Sequence, residues 1–323
     1  MHGRLKPTAT ARIRAGRPAR RRRSEHMIDD LDVPGVLSLV GPTGPVRPLM
    51  LDSPHSGTCF PDDFDTVVSQ KMLLEAVDTA VDRLFRPSPG SGLTMLHAHF
   101  PRTYVDPNRA ATDIDEDMLD RPWPGPAQPT GRSARGNGLI RRTLSGDLFP
   151  LYDRRLSVGE VAGRIARYHE PYHRTLARLH RVLHATFGSV YHLNCHSMRS
   201  RNTEDGTRRP DFELGDRNGT TCAPQFTGFT AELLSDLGYD VHINRVFRGA
   251  EIVRAYSAPD DGHHCLQIEV NKDLYMDEST RTLLPAFDRL RSDLATVLDR
   301  LGDFAAAHAA PGRAAVVNRN LRG

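Results

Sequence analysis

Cysteine is scarce and scattered. The 323 residues include four, Cys59, Cys195, Cys222 and Cys265, with no C-x-x-C pair. That excludes a disulfide scaffold and a cysteine-rich zinc module, and it suits a reducing cytoplasm. No run approaches the roughly 18–20 apolar residues of a membrane span. No apolar segment follows the basic N-terminus, as a secretory signal requires. A G-x-S-x-G elbow, a phosphate loop and a G-x-G-x-x-G turn are all missing, as is any internal repeat. The expectation is a cytoplasmic protein with no membrane partner.

The body of the chain also lacks a basic surplus. The formal net charge is +3, with 43 Lys and Arg against 40 Asp and Glu. Nine of those basic residues and only Glu25 among the acids fall within residues 1–26, so the remainder is net acidic. A basic arm can bind nucleic acid through phosphate contacts, with a salt dependence that disappears when the arm is deleted. It lacks hydrophobic periodicity, however, and reads as a disordered tail, or as sequence upstream of a functional start at Met27. The expected organisation is a basic tail over 1–26, a single domain over 27–310 and a flexible C-terminal tail over 311–323. No nucleic-acid partner is expected, and the oligomeric state stays open.

Strands alternate with helices along the body. Residues 48–52 form an apolar run that ends in Ser53-Pro54-His55-Ser56-Gly57, a strand entering a tight turn. Apolar spacing predicts a helix over 69–85, and extended pieces over 93–100 and 102–106. Residues 121–139, rich in Pro and Gly, form a long loop or lid. Residues 157–187 form the clearest amphipathic helix, kinked at Pro171. Residues 189–195 form a second strand, ending at His196. A helix follows over 228–238, then an alternating strand over 265–271. The last helix starts at the cap Ser279. The fold class is α/β, a three-layer architecture with a mixed, mainly parallel sheet and helices on both faces.

His55 and His196 each sit at the C-terminal edge of a strand, where open α/β sheets bind ligands. Taken singly, each is a turn histidine; taken together, they suit a catalytic zinc, which needs three protein ligands. The third would be another His or a carboxylate. Asp78 and Asp82, one helical turn apart after His55, share a face. Arg102, Asn108 and Arg109 crowd one short segment; spacing alone favours surface turn residues, while the functional reading has Arg109 as a fork for a carboxylate and Arg102 stabilising an oxyanion. Glu269 lies mid-strand among apolar neighbours. It is either a solvent-facing edge residue or a general base facing a pocket. His169-Glu170-Pro171-Tyr172-His173 matches H-E-x-x-H, but Pro171 disrupts the regular helix that this motif requires. The simpler reading is a partly exposed stripe of His169, His173, His180 and His184. Cys195 and His196 point to opposite faces of a strand and cannot form a nucleophile–base pair.

Several segments together resemble the N-formylglutamate amidohydrolase family: LDSPHSGTCFP (51–61), AVDRLF (80–85), DPNRA (106–110), NCHSM (194–198), DFELGDRNGTTC (211–222) and LQIEVNKDLYMDE (266–278). The resemblance spans Leu49 to Glu278 and extends to zinc carboxypeptidases and aspartoacylases. It implies a zinc-carboxypeptidase-like fold and one Zn2+ per chain. It also implies hydrolysis of the amide of an N-formyl amino acid, in the best-known case N-formylglutamate from histidine degradation. His55 and His196 resemble metal ligands. The related carboxypeptidase pattern has a Glu three residues after the first His, but Thr58 stands there, so Asp82 is the implied third ligand, with Asp78 second. Asn108 and Arg109 resemble a pair that holds a substrate carboxylate. Arg102 resembles an arginine that polarises the scissile carbonyl, and Glu269 resembles the general base. Arg254, or Arg248, is available for the second carboxylate of a small anionic substrate. Val246, Phe247 and Ala250 depart from the family pattern, which bears on specificity. A catalytically silent carboxylate-binding or regulatory protein, or a hydrolase of another N-acyl amino acid, remains the alternative.

Overall fold

The computed structural model describes residues 28–144 and 149–309. The expected tails at 1–26 and 311–323 lie outside the described residues. The strands are β1 (Leu31–Val33), β2 (Leu37–Val40), β3 (Leu49–Ser53), β4 (Thr94–Ala98), β5 (Thr143–Leu144), β6 (Phe149–Pro150), β7 (Val190–Met198), β8 (Phe212–Gly215), β9 (Val241–Ile243) and β10 (His263–Asn271). Eight of them form one sheet in the order β1-β2-β4-β3-β7-β10-β8-β9, while β5 and β6 make a separate pair. β4, β3, β7 and β10 run parallel in the centre, and antiparallel strands flank them. This is the expected mixed, mainly parallel sheet. Its parallel strands are buried on both faces, as such strands require.

Helices cover both faces. The α-helices are α1 (Gln70–Leu73), α2 (Val81–Leu84), α3 (Gly131–Ala134), α4 (Val158–Arg164), α5 (Glu170–Phe187), α6 (Pro224–Asp236), α7 (Glu251–Ala255) and α8 (Ala286–Ala307). Residues from α2, α6 and α8 pack with Leu49, Leu51, Leu193, Cys195, Leu266, Ile268 and Val270. Those strand positions alternate, so the next residues along each strand face the other side. There α4 and α5 contribute Val161, Tyr172, Leu176, Leu179 and Leu183. Toward them the central strands present polar groups: Asp52, His192, Asn194, His196, Gln267 and Glu269, all buried. One face of the sheet is thus an apolar floor, and the other carries the chemistry. Among the described residues, no helix is long and apolar enough to cross a membrane.

Several boundaries differ from the sequence expectation. The helix expected over 69–85 is broken. After α1 and a 3-10 turn, the chain extends at Val77 (ψ 138°) and passes through a left-handed Ala80 (φ 58°) before α2. The 102–106 segment is a turn, with the Tyr104 N–H donating to the Pro101 carbonyl. His196 lies within β7 rather than beyond it. Ser279 does not cap the last helix: it donates to Asp277 Oδ1, and α8 begins seven residues later. The long amphipathic helix is interrupted by a π-turn over Ile165–His169, so that Pro171 falls in the first turn of α5, where a missing N–H is harmless. The 121–139 loop is anchored rather than free. Asp113 accepts from the Thr130 N–H (2.7 Å) and Oγ1 (3.1 Å), and from the Ser133 hydroxyl.

Gly57 explains how the turn after β3 reaches the sheet edge. A Cβ there would stand 2.3 Å from the Phe100 carbonyl oxygen and 2.4 Å from the His99 carbonyl. These are backbone atoms and cannot swing aside. Gly57→Ala is expected to destabilise the fold by about 2 kcal/mol or more. An unchanged urea midpoint would show that the close approach is not a constraint.

Candidate metal centre and active site

The break at Val77–Ala80 decides which carboxylate meets the histidines. Asp78 leaves the helical path, and its N–H donates to the His55 carbonyl at 3.0 Å. Its side chain turns inward: Asp78 Oδ2 lies 2.9 Å from His196 Nδ1 and 3.5 Å from His55 Nδ1. His55, Asp78 and His196 offer ligand atoms within 4.8 Å of one another, all from buried residues. Asp82 is not part of this group. With the helix broken, Asp78 and Asp82 do not share a face, and Asp82 contributes only its N–H, to Ser56 Oγ at 3.1 Å. The expected third ligand therefore shifts from Asp82 to Asp78.

Outer contacts fix both rings. His55 Nε2 bonds Asp106 Oδ1 at 2.8 Å, and the other Asp106 oxygen takes Arg102 Nη2 at 2.8 Å and Nε at 3.2 Å. His196 Nε2 lies 2.8 Å from Asn194 Oδ1 and 3.1 Å from Asn108 Nδ2. Both Nδ1 atoms are thereby aimed at Asp78, and His55 Nδ1 is buried with no hydrogen-bond partner. Two imidazole nitrogens and a carboxylate at one point, each ring held from behind, fit a divalent metal such as zinc. Burial alone would raise the Asp78 and Asp106 carboxyls. The His196 and His55 contacts hold Asp78 well below the usual range, and Arg102, His55 and Arg109 do the same for Asp106. Burial pushes His55 down, whereas Asp78 and Glu269 carry His196 up against its burial.

Glu269 is on a central strand, not an edge. Its register partner on β7 is His196. Burial first, then the Asp78 and Glu213 charges, push its carboxyl up to about 7 against the pull of His196 and Arg102. Gln267 Nε2 donates to its Oε1 at 2.9 Å.

A cavity of about 180 Å³ opens over Asp78, lined also by Arg102, Arg141, Ser197, Arg199 and Lys272. Lys272 and Arg199 continue into a wider groove. Arg141 was not singled out by the sequence. Among the described residues its guanidinium has no hydrogen-bond or ion-pair partner, and its Nε is buried. Burial and the Arg102 charge push it down to about 9, still protonated at neutral pH. The only sequence signal was a basic residue directly behind the buried pair Leu139-Ile140. The residues expected to hold a carboxylate lie elsewhere. Arg109 is committed to the carbonyls of Asn108 (2.6 Å) and Asn137 (3.0 Å). Asn108 accepts the Ile252 N–H and steadies His196. Arg254 is 55% exposed and paired with Glu251 at 2.6 Å, away from the cavity lining. Arg248 is exposed, with its Nε on the Asn244 carbonyl.

The H-E-x-x-H histidines are engaged with backbone carbonyls. His169 Nε2 meets the Arg109 carbonyl at 2.9 Å, His173 Nε2 meets the Pro107 carbonyl at 2.8 Å, and Glu170 is exposed. They brace the 106–109 segment. His169 and His180 are buried rather than forming an exposed stripe. Burial pushes His173 down to about 3, with neighbouring His169 adding to it. Between that value and the unfolded value near 6.5, the unfolded chain binds one more proton at this residue. Stability is therefore expected to fall as pH drops below about 6.5. His173→Gln should flatten that limb by about 1.4 kcal/mol per pH unit, read from urea midpoints across the range. An unaltered slope would mean that His173 already carries a proton in the fold.

A family model described as N-formylglutamate amidohydrolase matches residues 47–276. The N-formylglutamate deformylase of Pseudomonas aeruginosa is 32% identical over 237 residues, covering 72% of this chain and 83% of the relative. That of Pseudomonas putida is 30% identical over 242 residues, with the same coverage of 72% and 83%. The solved N-formylglutamate amidohydrolase of Ralstonia eutropha is similar at 39% identity and a TM-score of 0.81, over 84% of this chain and 99% of that one. A protein from Agrobacterium tumefaciens, at 16% identity and a TM-score of 0.58, shares the fold. The segment from β3 to the end of β10, which carries all the side chains of the buried cluster, is thus the part that the family model matches, and the chain belongs to the N-formylglutamate amidohydrolase family.

Proposed function

We propose that this protein hydrolyses the formyl amide of N-formylglutamate, releasing formate and glutamate, at a centre built on His55, Asp78 and His196. The observation that carries the reading is the meeting of these three buried side chains beneath a cavity lined by Arg102 and by the unpaired Arg141. Family membership supports the reaction class, and the names of the relatives support the substrate. A divalent ion held there, Zn2+ by the donor set, supplies Lewis acidity when bound, acidifying water and polarising a carbonyl oxygen.

The chain's own residues do the rest. Arg141 takes a substrate carboxylate, because an unpaired, half-buried guanidinium is satisfied by an anion with matching fork geometry. Arg102 is oriented by Asp106 and donates charge-assisted hydrogen bonds to the oxyanion as the formyl carbon becomes tetrahedral. Glu269, poised near neutrality, accepts a proton from the attacking water and passes it to the leaving amine. Asp106 positions the reaction from behind by holding His55 and Arg102 together. Arg109 and Asn108 brace this shell rather than touch the substrate.

Formate release from N-formylglutamate by the purified, zinc-loaded protein tests the reading, and no release from that substrate would overturn it. Glu269→Gln should lower kcat by about 10²–10⁴-fold with metal content unchanged. Equal turnover in both proteins would remove Glu269 as the base. Arg141→Gln should raise KM by about 10–100-fold and leave kcat much less affected, the loss of one charge-assisted contact. A KM that stays within twofold would place the carboxylate elsewhere.

A further inference from the structure

We propose that His180, His192 and Cys265 form a second, thiolate-bearing metal site that takes Zn2+. The site is separate from the catalytic centre. His192 and His196 lie on the same face of β7 four residues apart, about 13 Å along the strand, too far to share one ion.

Three elements bring the ligands together. Cys265 on β10 is the register partner of His192 on β7, so the two side chains stand side by side on the polar face of the sheet. His180 descends onto them from α5. His180 Nε2 lies 3.0 Å from His192 Nδ1, Cys265 Sγ lies 3.9 Å from the same Nδ1, and all three atoms fall within 4.8 Å of one another. A zinc tetrahedron with bonds of about 2.0 Å to nitrogen and about 2.3 Å to sulfur has N···N edges of about 3.3 Å and N···S edges of about 3.5 Å. The two separations lie within a few tenths of an ångström of those edges, and the rings meet at a steep 71°.

The surroundings are those of ligands. The outer nitrogen of His192, Nε2, bonds Asp52 Oδ1 at 2.8 Å, the carboxylate–histidine arrangement that orients a metal-binding imidazole. The outer nitrogen of His180, Nδ1, lies 3.4 Å from His263 Nδ1. Asp52 is wholly buried, and its bonds go to His192, Asn194 and Tyr172, with no Lys or Arg among them. A divalent cation together with a Cys265 thiolate and Asp52 sums to zero, which a buried site favours. On binding, the Cys265 S–H proton leaves to solvent, and the His180 N–H moves from Nε2 to Nδ1, toward His263. A groove of about 490 Å³ lined by His180, His184, Tyr256 and His263 provides the way in.

A thiolate distinguishes this site from the catalytic one, whose ligands are two histidines and a carboxylate. The full chain, loaded with Co2+, should hold two ions per chain and show thiolate-to-cobalt charge-transfer absorption in the near ultraviolet. Cys265→Ala and His180→Gln should each reduce the count to one, with loss of that absorption in Cys265→Ala. Asp78→Asn should lose the other ion and keep the absorption, so failure of the hydrolytic reading and failure of this one read out separately. His180 borders the groove, so His180→Gln reports on the site even where Cys265→Ala does not fold. A folded wild type without the absorption would overturn the proposal, as would absorption that survives Cys265→Ala.

Discussion

Asp106 is the carboxylate on which the site depends. One of its oxygens fixes the outer nitrogen of His55, and the other receives two donors of Arg102. It also accepts the Asn108 N–H at 2.9 Å, which closes the turn at 106–108. A fully buried anion is tolerated because each of its oxygens has two donors, those on one oxygen both from the cationic Arg102. The same bonds therefore solvate the charge and set the geometry. His55 cannot rotate without stranding Asp106, and Arg102 cannot leave without exposing it to an apolar surrounding.

The fold was legible in the sequence where one force dominated. Apolar alternation along β10 and the apolar runs of β3 and β7 gave the central strands, and each carried its polar residue to the correct edge or face. His55 and His196 were visible because they follow or end apolar strands at the sheet's C-terminal edge, and Glu269 because a polar side chain in a buried strand must face something. Asp78 was harder, because the choice between it and Asp82 turns on a left-handed Ala80 that no spacing rule reveals. Alanine has no special tolerance for that conformation, so the fold imposes it through the bonds of Asp78 and Asp82 to the His55 turn. Arg109 and Arg254 carried the charge of a carboxylate fork but not its freedom, since carbonyls hold the first and Glu251 the second. Arg141 has the freedom, a property of what is absent around it that sequence cannot display.

The sheet divides its labour by face. Apolar residues of β3, β7 and β10 rest on α2, α6 and α8, while Asp52, His192, Asn194, His196, Cys265 and Glu269 line up under α4 and α5. This polar face is buried, and its groups satisfy one another in chains, such as His180 to His192 to Asp52 to Asn194. Such networks specify one arrangement more strictly than an apolar core does. They also explain why α5 is rich in histidine: its sheet-facing side meets acceptors as well as leucines.

The π-turn over Ile165–His169 sets the angular phase of that helix. In a regular α-helix each residue advances about 100°, so eight steps from Arg164 to Tyr172 would leave them about 80° apart around the axis. Both are nonetheless wholly buried, Arg164 on the Tyr104 carbonyl and Tyr172 on Asp52. The slower winding of the i→i+5 turn absorbs most of that offset. Helix phase, rather than helix length, is the quantity conserved here. The extra residue lets one rod serve two customers on the same side of the sheet, the arginine that braces the 104–109 turn and the tyrosine that reaches the buried aspartate.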